Sequence, residues 1–138
     1  MQINYWAVLV CAVIAMGIGY VWYGPLFGKK WMEVIGADER DMEARREMQK
    51  HMMPLMVVHF ILTLFQVLIL EYYVKGWTSM GGLVNALWIW AAFVMPTVAG
   101  SSMWNNDKSK VAWTRFLLQA GYQLVVLVIF GVILGAWQ

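Results

Sequence analysis

A chain of 138 residues that is 62% apolar and 13% charged, with a mean hydropathy of +0.61, has too few polar side chains to cover a water-soluble globule of its size. Lipid is the expected solvent. A net charge of +2 with acidic and basic residues interleaved leaves no continuous basic patch, so nucleic acid is not an expected partner.

Four apolar stretches each approach the roughly 20 residues that cross a hydrocarbon core of about 30 Å. The expected fold is therefore an all-α, four-helix transmembrane bundle forming one integral membrane domain over 1–138. Spans are expected near 3–23, 54–74, 80–103 and 113–137, with a connector over 24–53 that carries one short amphipathic helix.

In the first span Cys11, Ala15 and Gly19 recur every four residues, which stacks small side chains on one face. In lipid such a face lets another helix approach closely, so it reads as a helix-packing seam. Cys11 is the single cysteine and can form no intramolecular disulfide. The run lacks a basic leader and is long for a signal core, so it is expected to be a mature helix.

The span closes on Trp22-Tyr23-Gly24-Pro25-Leu26-Phe27-Gly28-Lys29-Lys30-Trp31. Trp22, Tyr23 and Trp31 suit the headgroup level, Gly24, Pro25 and Gly28 break the helix, and Lys29 places an ammonium in water. Together they read as a membrane exit. In the connector, Asp38 can cap a helix over about 38–52, with Glu39 and Asp41 in its first turn and Asp41 paired with Arg45.

Pro54 suits the first turn of the second span. Lys75, Gly76 and Trp77 close that span, and a short turn makes spans two and three antiparallel neighbours. Pro96 lies well inside span three, where a kink near 92–96 is expected. Residues 104–110 form a second charged turn before the last span, in which Gly131 and Gly135 make a G-x-x-x-G step. That step permits close backbone approach, either within the chain or between copies.

Basic residues set the orientation. Six lie in the first connection, three (Lys108, Lys110 and Arg115) at the third, and one, Lys75, at the second. The excess places 24–53 and 104–112 in the cytoplasm and both termini outside the cell membrane.

Polar side chains inside spans are costly unless paired, so each is a candidate site. His59, Thr63 and Gln66 share one face of span two, Gln119 and Gln123 flank Tyr122 in span four, and span three offers Asn85 and Thr97. These faces either meet in a polar cavity or serve as interhelical hydrogen bonds that hold the packing. Glu71, near the outer boundary beside Tyr72 and Tyr73, is expected to reach water. With only His51 and His59, no metal site, haem or other cofactor is expected, and no nucleophile with base and orienting acid stands out.

Two stretches resemble a bacterial membrane family catalogued as domain of unknown function 1761. The segment from Trp22 to Met32 is similar to that family's Trp-Tyr-small-Pro-Leu-Phe-Gly-Lys-x-Trp element. Ala120-Gly121-Tyr122-Gln123-Leu124, followed by Gly131 to Trp137, resembles its closing Ala-Gly-Tyr-His-Leu and Gly-x-Ile-Leu-Gly-x-Trp. The chain departs from that pattern at Gln119 and Gln123, where an acidic residue and a histidine are expected, so a proton-linked role is not implied there. The resemblance implies a small four-span membrane protein and supplies no activity.

Three readings follow. A self-associating protein can form a passage or binding cavity for a small solute or ion, with the ligand unknown. A structural or accessory protein can bind a membrane partner. A lipid-directed enzyme is disfavoured by the lack of a catalytic set.

Overall fold

The computed structural model describes residues 2–35, 42–104 and 108–137. Among these the chain is helical with no strand. Four helices, Tyr5–Leu26, Lys50–Gly76, Thr78–Met103 and Ser109–Ala136, are long and apolar enough to cross a membrane. The fold is an all-α bundle of four candidate transmembrane helices.

Helix α1 (Tyr5–Val21) starts where the Asn4 side chain accepts the Ala7 amide at 3.1 Å, satisfying one of the donors that a helix leaves unpaired at its start. It does not end at Gly24-Pro25 as expected from sequence. The chain widens into a π-helical segment, Trp22–Leu26, in which the Phe27 amide bonds the Trp22 carbonyl at 3.0 Å. Pro25 has no amide proton and its ring crowds the preceding turn, and the wider coil accommodates both. No loop follows: α2 (Gly28–Ile35) begins at once, the short helix between spans one and two. It turns Trp31 and Val34 inward and leaves Lys29 and Lys30 exposed.

The expected separate helix over 38–52 is not observed. Helix α3 (Met42–Gly76) is continuous, and Pro54 lies inside it rather than at the start of a span. A proline there removes one backbone bond, but every residue over 51–59 is exposed, so among the described residues the ring meets no neighbouring helix, and strong helix formers on both sides carry the coil through. The Asp38 cap and the Asp41–Arg45 pair lie outside the described residues. Along α3 the buried side chains Thr63, Val67, Leu70, Glu71 and Val74 fall on one stripe, the face turned to the bundle.

A turn at Trp77 and a short tight helix, Thr78–Met80, reverse the chain. Gly81 sits at φ 74°, a left-handed conformation that glycine adopts without a Cβ penalty. The third span comprises α4 (Gly81–Ile89), a second π-helical segment (Trp90–Val94) and α5 (Met95–Met103). The disruption expected near Pro96 takes this form. The Thr97 hydroxyl donates to the Phe93 carbonyl, adding a partner for the backbone beside the proline.

Helix α6 (Ser109–Ala136) starts four residues before the expected span. It is the most buried of the four spans and the axis around which the others pack. Val126, Leu127, Phe130 and Leu134 of α6 meet Ala7, Val8 and Cys11 of α1, Val67 and Val74 of α3, and Ala86 of α4 in one apolar core. The Gly131/Gly135 step is an internal contact. Both glycines lie against the backbone of Gly82 in α4, so these two helices cross with almost no side chain between them.

Candidate functional site

The two stretches that stand out in the sequence are packed against each other. The Trp22 indole N–H donates to the Leu118 carbonyl at 3.0 Å, and the ring fills the space over Gly121, where a Cβ would lie 3.2 Å from it. Tyr23 contacts Tyr122 with ring centroids 5.4 Å apart, and Trp31 contacts Tyr23 at 4.8 Å. The buried Tyr122 hydroxyl donates to the Ala15 carbonyl at 3.0 Å, passing over Gly19, where a Cβ would meet the same oxygen at 3.2 Å. From the opposite side the Trp90 indole donates to the Ala120 carbonyl at 2.9 Å. Each π-helical segment thus opens with a tryptophan that hydrogen-bonds the α6 backbone.

These bonds tie α6 to its neighbours where apolar burial supplies little helix affinity in lipid. Replacing Tyr122 with Phe keeps the ring and deletes one buried bond. We expect it to lower unfolding free energy in detergent by about 1 kcal/mol. An unchanged value would mean that the hydroxyl contributes nothing to the α1–α6 contact.

The polar candidates do not converge on one cavity. Gln66 and Gln123 meet across α3 and α6, side chain to side chain, at 3.3 Å. Thr63 is buried but bonds back to the His59 carbonyl of its own helix at 2.8 Å. Asn85 is buried and donates to the Trp77 carbonyl at 3.0 Å, closing the α3–α4 turn. Gln119 is half-buried, whereas His59 and Thr97 are exposed on the outside of the bundle, because α3 and α5 have no neighbour on those sides among the described residues. Cys11 and Ala15 are fully buried on α1. Two grooves, one lined by Tyr5, Val8, Leu9, Leu64, Phe65 and Leu68 and the other along Ile14, Ile18, Trp22 and Leu26, are open and apolar.

Glu71 is the residue that the sequence reading misplaced. Instead of reaching water it is fully buried. Its Oε1 lies 3.1 Å from Lys75 Nζ and accepts the Asn4 amide at 3.3 Å. Lys75 also donates to the Gln2 carbonyl, and Asn4 Nδ2 donates to the Trp137 carbonyl at 3.1 Å. The carboxylate therefore holds the start of α1, the end of α3 and the end of α6 at one end of the bundle. Glu71 is the one acidic residue within the four candidate spans, where ionisable groups are expensive and tend to be functional. The sequence did carry a signal: Glu71 continues the Thr63, Val67, Leu70, Val74 stripe, with Lys75 one turn further on.

Lys29 and Lys30 remain exposed at the opposite end, and Arg115 reaches from α6 to the Val34 carbonyl at the end of α2 at 3.3 Å, where a cation complements the helix dipole. Among the described residues no three His, Cys, Asp or Glu side chains form a group that could hold a metal ion. No curated protein and no solved structure matches the chain. The family model described as "Protein of unknown function (DUF1761)" matches residues 6–135, and the chain belongs to that family.

Proposed function

We propose that this four-span protein works as a homo-oligomer in the cell membrane and forms a passage or binding cavity for a small solute or ion between its copies. Both termini face outward, with 24–53 and 104–112 in the cytoplasm, as the distribution of basic residues favours. The observation that carries the reading is His59. It sits in an apolar span, exposed, on a stretch of α3 that is bare on all sides over 51–59. A polar side chain facing lipid without a partner is unfavourable, and a second copy would cover it. Inside one chain Gln66 engages Gln123, and Thr63 and Asn85 donate to backbone carbonyls, so a hydrophilic route is better placed between chains, alongside His59, Gln66 and Gln119.

The same bare stretch also favours a second reading, an accessory protein whose partner is a different membrane protein. The mass of the nanodisc-embedded particle separates the two. A defined dimer or larger assembly that His59→Phe weakens is the expected result. A monomer in the wild type would refute self-association and leave the partner reading in place.

A further inference from the structure

The Glu71 cluster does more than fasten the termini. A fastening needs one carboxylate oxygen, and Oε1 supplies it by accepting from Lys75 and from the Asn4 amide. Oε2 is buried and has no hydrogen-bond partner among the described residues, and neither does the buried Oδ1 of Asn85. Glu71 lies in the last turns of α3 and Asn85 in the first turns of α4, antiparallel helices joined by one turn. Both atoms only accept hydrogen bonds, and both are removed from water, which is a costly arrangement unless a donor or a positive charge serves them.

We propose that Glu71, with Asn85, is a binding site for a compact monovalent cation, either an inorganic ion or a small protonated amine, and that Lys75, held on the other oxygen of the same carboxylate, is the tethered cation that competes with it. The chemistry follows from the groups present. Acceptor oxygens and one carboxylate select positive charge and reject anions. A single carboxylate, with no grouping of three metal-binding side chains among the described residues, suits one charge rather than a transition metal. Glu71 is fully buried on the face of α3 that carries Val67, Leu70 and Val74 into the apolar core, which leaves no room for a bulky or fully hydrated ion. Lys75 stands one turn nearer the end of α3 and keeps 16% of its side chain exposed while Glu71 keeps none. Displacement of the Lys75 ammonium by an incoming cation is therefore the route of exchange. The site lies within one chain and stands whether or not copies assemble.

The test uses the full chain in phosphatidylcholine nanodiscs and reads the thermal unfolding midpoint from tryptophan fluorescence at fixed pH and ionic strength. Lithium, sodium, potassium, ammonium and methylammonium chlorides replace N-methyl-D-glucamine chloride in turn. With Lys75→Met the competitor is gone, and at least one of these cations is expected to raise the midpoint at a concentration about tenfold lower than in the wild type. Asn85→Ala in that background is expected to weaken the effect several-fold. The double variant Glu71→Gln/Lys75→Met is expected to lose it. A response confined to the alkali metals identifies the ligand as inorganic, and one confined to ammonium and methylammonium identifies it as an amine. Should Lys75→Met fail to fold in glucamine chloride, its recovery on reconstitution in the other chlorides is the readout. No response or recovery with any cation, or a response that persists without the Glu71 carboxylate, overturns the site. Neither result depends on particle mass, so its failure is distinct from failure of self-association.

Discussion

Gly82→Ala is expected to cost at least about 3 kcal/mol of unfolding free energy and to leave little folded protein in detergent. The added methyl would fall on the Gly131 carbonyl oxygen, with Gly135 Cα at 3.0 Å. Backbone atoms cannot swing aside as a side chain can, so relief requires the two helices to separate. Separation would undo the contact that holds α4 to the central helix. Gly131→Ala meets the same obstacle from the other side, 2.5 Å from the Gly82 carbonyl oxygen and 2.8 Å from Ala86 Cβ, and should be nearly as damaging. Gly135→Ala, 3.2 Å from Gly82 Cα and N, should be milder. Gly17→Ala and Gly100→Ala serve as controls, because a Cβ at either meets nothing within 4 Å. There the ordinary helix preference for alanine should stabilise by about 0.5–1 kcal/mol. Reversible unfolding in mixed micelles gives the order. Equal effects at Gly82 and Gly100 would refute the close crossing.

Breaking the Glu71–Lys75 pair is expected to be strongly asymmetric. Lys75→Met leaves a carboxylate with no exposed surface and without its counter-charge, a change that costs about 3–5 kcal/mol at buried pairs. Glu71→Leu leaves a lysine that is already partly exposed and can extend its ammonium to water, so its cost should be about 1 kcal/mol. The double variant Glu71→Leu/Lys75→Met should recover most of the loss, since an apolar pair of similar volume leaves no buried charge and only the Asn4 amide loses its acceptor. A double-mutant cycle by the same unfolding assay yields the coupling. Equal single-variant costs would mean that Glu71 reaches water after all.

The four spans were legible because the bilayer demands long apolar runs and satisfied backbone bonds, a constraint written directly into composition. The seam of small residues on α1 was readable as a pattern, but its partner was not. Nothing in the spacing of Cys11, Ala15 and Gly19 says that Tyr122 lies across it. Likewise Gly131-x-x-x-Gly135 announces a close approach without naming Gly82. Proline misled twice. At Pro25 and Pro54 helix continued where a boundary was expected, because a π-helical turn absorbed one and an exposed, well-flanked position tolerated the other.

The polar candidates divide in the same way. That His59, Thr63 and Gln66 share a helical side follows from periodicity, but which flank of α3 meets α6 depends on the tilt of a helix that leaves the bundle before it reaches 51–59. Gln66 therefore gained Gln123 while His59 stayed outside. Glu71 was placed in water from its nearness to the end of a span, and the start of α1 folds over it instead.

Sequence alone determined the number of helices long and apolar enough to cross a membrane and the residues able to pack closely, since each depends on local composition and spacing. Tertiary structure alone decided that α6 is the central helix, that the Trp22 and Tyr122 stretches meet, and that the one carboxylate within the spans is sealed from water. Those outcomes rest on contacts between segments far apart in the chain, and helix periodicity specifies a face without specifying what lies opposite it.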